Sequence, residues 1–214
     1  MSGETGRMDE LRLLGERLCL NFANTVDPRH SDHPREFLAT YADLVAWARR
    51  ADALTQDEGD HLLHEATRRP ADATAVFHQA RALREAVYTV FSALARGASP
   101  AEATVAMLND ELSAALSHAR VAPSGAAFVW AWEDNGPALD RMLWPVARSA
   151  ADLLTSGCLG RVRECPGEDG CGWLFLDTSK NGSRRWCSME GCGNRSKARR
   201  YHARRQTGSM RRGG

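Results

Sequence analysis

The sequence predicts a mainly α, α+β chain: a helical N-terminal domain with a small β-hairpin or sheet, followed by a small cysteine-bearing module that ends in a basic helix. Three observations predict it. Apolar residues recur at three- and four-residue spacing in successive stretches between Leu18 and Ser156, the period of helices with one buried face. Alternation replaces that period around residues 119–132, where Phe128, Trp130 and Trp132 mark one side of a hairpin. Four of the six cysteines fall as two close pairs in the last quarter of the 214 residues. A domain of roughly 150 residues buries about 70% of its unfolded surface, so the part before the cysteines can hold a core.

Taken in order, Leu11 to Leu14 reads as a short edge strand that Gly15 breaks, and Leu18 to Val26 as a helix ended by Asp27-Pro28. His30 to Pro34 is a loop, and its H-x2-H pair has no cysteine near it to suggest a metal. Tyr41, Leu44, Val45 and Ala48 place a helix over 40–51, and Thr55-x-x-Glu58 is a capping box opening another that Pro70 stops. His61 and His64 belong to its solvated face. The longest helix runs from about Ala73 to Gly97, with Val76, Phe77, Ala80, Leu83, Val87, Tyr88, Phe91 and Leu94 as its apolar stripe. Ser99-Pro100 opens the next, which turns Val105, Leu108, Leu112, Ala115 and Leu116 inward. The hairpin follows, its aromatics read as cover for the helices. Gly136-Pro137 then starts a helical stretch that Pro145 breaks before a last helix over 146–156, closed by Gly157.

Five residues of this part are candidates for binding a small molecule. Asn21 and Asn24 share one helical face with Arg17, which is either a solvated polar face or the lining of a cleft. Arg84 interrupts the apolar stripe of the longest helix. A cation there needs an internal anion, a route to solvent, or an anionic ligand, with Arg81 one helical step away to help. Trp132 and its aromatic neighbours wall the same cleft in that reading. No nucleophile, base and oxyanion set stands out, so an enzyme is the third-ranked function.

The cysteine module spans Arg161 to Arg205. Cys165-x5-Cys171 and Cys187-x4-Cys192, with fifteen residues between the pairs, have the arithmetic of one tetrahedral zinc. Trp173 to Leu176 reads as a strand, 179–183 as a turn and Arg184 to Trp186 as the returning strand of a second hairpin. Four thiolates fill a tetrahedral ion and leave no open position, so the metal is expected to be structural, one per chain. Such sites contribute on the order of 10–16 kcal/mol to folding of small modules. Close cysteine pairs in a chain without an apolar leader favour a metal over disulfides. Cys19 and Cys158 read as small core residues.

Net charge is only +1, but it is unevenly distributed. Residues 1–160 carry fifteen Arg against twenty-two acids, a balance of −7, and residues 161–214 carry thirteen basic and five acidic residues, a balance of +8. An acidic body with a basic end is the asymmetry expected of a chain whose end meets a polyanion. The candidates for phosphate contact are Lys180, Arg184, Arg185, Arg195, Lys197, Arg199, Arg200, Arg204 and Arg205. Trp186 and Tyr201 read first as core of the module and second as base-stacking residues. The longest apolar run, Ala126 to Trp132, is far below the roughly 18 residues that span a bilayer, so a soluble, cytoplasmic protein is expected.

Cys192-Gly193-Asn194-Arg195, preceded by FLDTSKNGSRRWCSMEG and followed by SKARRYHARR, resembles the CGNR zinc finger. That finger ends bacterial proteins whose N-terminal region is called ABATE, described as stress-induced transcription regulators. LCLNFANTVD (Leu18 to Asp27), LREAVY around Arg84 and AADLLTSG before the finger are similar to the ABATE part. The resemblance implies an ABATE-like domain over 1–157 that senses a ligand or partner, and a DNA-binding CGNR finger over 158–205. Residues 206–214 are expected to be a disordered tail. Hairpin plus helix resembles a treble clef, although the five-residue spacing of the first pair is wider than the usual two. Because phosphate contacts do not tell DNA from RNA, an RNA-binding or ribosome-associated zinc protein is the alternative. A homodimer suits paired DNA half-sites.

Overall fold

The computed structural model describes residues 7–133, 138–167 and 170–210, of which 203–210 are described as backbone only. Helices dominate, with three small antiparallel strand pairs. They are α1 (Leu18–Ala23), α2 (Tyr41–Arg50), α3 (Gln56–Arg68), α4 (Pro70–Ala95), α5 (Glu102–Ser117), α6 (Leu143–Leu154) and α7 (Asn194–Met210). The strand pairs are β1 (Val26–Asp27) with β2 (Arg35–Glu36), β3 (Ala119–Ser124) with β4 (Ala127–Trp132), and β5 (Val162–Glu164) with β6 (Leu174–Leu176).

Local chemistry sets the helix ends. Thr55 and Glu58 form the reciprocal box, and Thr40 with Asp43 forms a second one at α2. As expected, α3 ends at Arg68, with Arg69 before the proline out of helical conformation, and the same Pro70 also opens α4: at the first helical position its missing N–H has no intrahelical partner to lose. The same physics corrects the reading of Pro145, which lies in the first turn of α6 and leaves that helix unbroken. Gly97, at φ 73°, follows α4 in the left-handed conformation that closes helices. Gly136-Pro137 lies outside the described residues.

The 26-residue α4 is the axis of the body. It packs on α1, α2, α3, α5 and α6, and also on β5 and β6 of the cysteine module. Its stripe is buried or half-buried as expected. Phe22, Phe37 and Trp47 fill the core beside its Leu83 and Phe91.

Several expectations are corrected. Residues 11–14 form no strand: the Leu11 carbonyl accepts from the Arg50 guanidinium at 2.9 Å and the Leu14 carbonyl from Arg184 at 3.3 Å, so side chains replace a ladder. Leu116 points outward, since α5 is covered along one narrow line through Leu108 and Ala115. The hairpin β3–β4 forms, but Phe128 and Trp130 are exposed, Trp130 meeting the body through the Arg148 guanidinium over its ring, while Trp132 packs beside Trp144 of α6. Strand β6 pairs with β5 upstream rather than with 184–186. The backbone of α7 continues through 206–210, into the stretch expected to be a tail.

Candidate metal centre and its basic helix

The four cysteines are delivered by two unlike pieces of backbone. Cys165 and Cys171 sit on the loop joining β5 to β6, closed by Cys165 N donating to the Trp173 carbonyl at 2.8 Å. That loop turns against the body: a Cβ on Gly172, at φ 63°, meets the His30 ring at 2.5 Å. Only glycine has room there. Cys187 follows a turn built by Asp177, whose carboxylate accepts from Ser179 N, Ser179 Oγ and Arg184 N at 2.6–3.0 Å. Cys192 lies in a π turn, Met189–Gly193, that Ser188 caps and that leads into α7.

All four sulfurs lie within 4.8 Å of one another and are buried. Cys171 Sγ and Cys192 Sγ are each 3.7 Å from Cys187 Sγ. A tetrahedron with zinc–sulfur bonds of about 2.3 Å has edges of about 3.8 Å, so the donor set fits one zinc with all four positions filled by protein. Arg195 donates to Cys192 Sγ at 3.2 Å, and Cys187 N donates to Cys165 Sγ at 3.4 Å, which orients both sulfurs and favours their thiolates. Hydrogen bonds from the neighbouring thiols, Cys165 first, and the Arg195 charge hold Cys192 below the usual thiol range. Hydrogen bonding with Cys165 first, and then with Cys187 for Cys171 and with Cys192 for Cys187, pushes Cys171 and Cys187 up. A divalent cation resolves that conflict by stabilising all four thiolates together. Zinc here is structural.

The module is joined to the body along a seam of directional bonds. The Asn24 amide, fully buried, donates to the Leu174 carbonyl and accepts from Leu174 N, both at 2.8 Å, and so imitates a neighbouring strand of β6. Trp173 Nε1 donates to the Val26 carbonyl at 2.9 Å, and Leu176 N to the Gly15 carbonyl at 3.1 Å. Arg29 N and His30 N donate to the carbonyls of Cys171 and Gly170 at 2.9 and 2.7 Å. Glu164 accepts from Ser92 at 2.6 Å, contacts the His30 ring at 2.8 Å and pairs with Arg96. Trp173, Leu174, Phe175 and Leu176 are buried in the same cluster as the helices. At roughly 1.5–3 kcal/mol per buried side chain, that packing is comparable to the stability of a whole domain.

The five ligand candidates do not assemble into a cleft. Asn24 is consumed by Leu174, and Asn21 Oδ1 accepts from Gly15 N at 2.7 Å. Arg84, 2% exposed, makes a bidentate pair with Glu36 at 2.6 and 2.9 Å and also reaches Thr25 and Glu85. Arg81 lies 3.6 Å from the same Glu36. Trp132 belongs elsewhere, in a shallow pocket of about 210 Å³ with Arg17 and Arg148. The internal anion thus satisfies the cation in the stripe. Cys19 is core, its thiol pushed up to about 12 by burial, while Cys158 is half-buried with Ser156 Oγ at 3.1 Å.

Of the phosphate candidates, Lys180, Arg185, Lys197, Arg199 and Arg200 are exposed, and so is Arg195 beside its sulfur contact. Arg184 is placed differently. It lies over the Phe175 ring, pairs with Glu16 at 3.1 Å and donates to the Cys187 carbonyl at 2.6 Å, so it ties the turn to the body. Arg204 and Arg205 lie on α7 where only backbone is described. Trp186 is core of the module, whereas Tyr201 is exposed. Sequence reasoning missed Asp177, Glu164 and His30 because their side-chain partners lie across turns or between 58 and 134 residues away.

Residues 16–157 match the family model ABATE, described as "Putative stress-induced transcription regulator", and residues 161–205 match that of the CGNR zinc finger. No curated protein matches the chain.

Proposed function

The chain belongs to the ABATE family and carries a CGNR zinc finger, and from that premise we propose that it is a transcription regulator whose finger binds DNA through α7 and the adjoining turn. The observation that carries the reading is the character of α7. It begins two residues after a zinc ligand, carries six cations and no acid from Arg195 to Arg205, and has no apolar stripe with which to pack on the body. A helix polar on every side draws little stability from a core of its own, and a polyanion supplies the missing partner by counterion release. The metal fixes the start of this helix, and the seam fixes the metal to the body.

In this reading Lys180, Arg185, Arg195, Lys197, Arg199, Arg200, Arg204 and Arg205 supply the phosphate contacts. Sensing by the body finds its support at the seam rather than in the five residues read as a cleft. A groove of about 740 Å³ lies between residues 12–16 and 179–190, lined by Arg12, Glu16, Ser183, Arg185 and Met189 among others. An occupant there touches body and finger together, which is what a signal between them requires.

Selection from mixed DNA and RNA pools with the zinc-loaded chain, repeated as a salt titration, tests the function. Each neutralised phosphate of duplex DNA adds about 0.9 to the slope of log K against log salt, so a slope of roughly −4 to −6 on DNA is expected. Preference for structured RNA at moderate salt would replace the regulator with an RNA-binding protein.

A further inference from the structure

Among the strand pairs of the described residues, β3–β4 is the one that the body does not absorb. Gly125 and Ala126 form its two-residue turn, with Gly125 at φ 59°, so Ser124 and Ala127 close the ladder as a hydrogen-bonded pair. Counting outward by twos, the pairs 122/129 and 120/131 are also hydrogen-bonded, and Glu133 N donating to the His118 carbonyl at 2.7 Å continues the same parity. The intervening residues therefore turn their backbone groups away from the partner strand. On β3 these are Ala119, Val121 and Pro123, and on β4 they are Phe128, Trp130 and Trp132.

The two outer edges differ. Pro123 has no N–H to offer, so the β3 edge is blunted at its turn end, and Arg120 adds a charge to that strand. Strand β4, AFVWAW, has no proline and no charge. Among the described residues nothing pairs with its outer edge. The side chains are partly bare as well: Phe128 is 73% exposed, Trp130 is 50% exposed with one ring face under the Arg148 guanidinium of α6 at 4.4 Å, and Trp132 at the base packs beside Trp144. Proteins blunt free edges with charge, proline or cover; the β4 sequence has neither charge nor proline, and the one cation near it among the described residues, Arg148, lies over the face of Trp130.

We propose that the β4 edge is a self-association surface, where a second copy of this chain adds its own β4 antiparallel to make a four-stranded sheet. Charge selects that occupant. Across a twofold axis every charge on the strand meets its like twin, and β4 carries none, so apolar side chains meet apolar side chains in any register. Area sets the strength. At 150–250 Å² per fully buried aromatic, Phe128, Trp130 and the half-exposed Val129 of two copies offer roughly 700 Å². That is below the roughly 1,200 Å² of standard interfaces, so pairing belongs to the weak class and depends on concentration. The inference is independent of what the finger binds.

Sedimentation equilibrium of the zinc-loaded full chain without nucleic acid tests it. The weight-average mass rises with concentration from one 23.5 kDa chain toward two. Phe128→Pro removes one outward N–H, as Pro123 does on β3, and Trp130→Lys sets like charges across the axis. Each weakens association at least tenfold while the thermal unfolding midpoint stays near that of the parent. Should the proline variant lose its hairpin, Trp130→Lys carries the test alone. Val121→Lys, on the far edge, changes association less than threefold. A chain that stays monomeric throughout overturns the proposal. So does association that neither β4 variant weakens, or that Val121→Lys weakens as much, because the contact is then not the β4 edge.

Discussion

The two halves of the zinc segment face opposite surroundings. From Val162 to Leu176 it behaves as part of the body: its strands pack on α4, and Asn24 serves β6 as a substitute strand. From Asn194 onward it is a helix without an apolar face, and its exposed cations meet solvent. The four sulfurs sit at the boundary, two on each side of it. One metal thus holds a buried hairpin and a solvated helix in fixed relation, so its loss acts on both, whereas changes on either side alone stay local.

The largest way to break that contrast is to remove the metal. Chelation, or Cys187→Ser, is expected to abolish the finger's fold, since structural zinc contributes on the order of 10 kcal/mol to small modules. It also lowers the unfolding midpoint of the body, read by the near-ultraviolet dichroism of Trp47. Asn24→Leu attacks the seam with the zinc ligands untouched. It strands the N–H and C=O of Leu174 in the core and costs about 3 kcal/mol in urea unfolding. Arg84→Met is confined to the body. Loss of a buried ion pair costs about 3–5 kcal/mol when the partner is stranded, and Glu36 keeps some access to water, so about 2 kcal/mol is expected with zinc affinity unchanged.

Acid sharpens the body's side of the comparison. Burial opposes ionisation of Glu58 and is the largest single influence. The Thr55 N–H and hydroxyl, with Arg141 at 2.6 Å, together outweigh it and hold the carboxyl below its usual range. The stability it contributes is therefore complete above the unfolded value of about 4.3 and is lost as pH falls through the lower folded value. The slope of the unfolding midpoint below pH 5 should flatten in Glu58→Gln. The smallest effect on stability is predicted for Lys197→Ala, under 0.5 kcal/mol, while the salt slope of DNA binding falls by about 0.9.

Much of this was legible because it is local. The Thr55 box, the stripe of α4 and the four ligands depend on spacings of a few residues, and the structure has each where the spacing puts it. Pro145 misled, and Pro70 was only half read as a stop when it also starts α4, because a proline's effect depends on which helical position it takes. The second hairpin failed for a different reason: β6 has two candidate neighbours, and pattern alone cannot show that Val162 to Glu164 is the one alongside. Asn24 and Arg84 were recognised as unusual, yet the partners that explain them, Leu174 and Glu36, lie 150 and 48 residues away. Arg184 was counted as a surface cation because nothing in sequence reveals the Phe175 ring beneath it.

The central claim is that body and finger fold as one unit through the zinc boundary. Scanning calorimetry of the full chain, zinc-loaded and then chelated, tests it most directly. A single cooperative transition whose midpoint drops as a whole on chelation is predicted. Two transitions, with that of the body unmoved by metal removal, would contradict it.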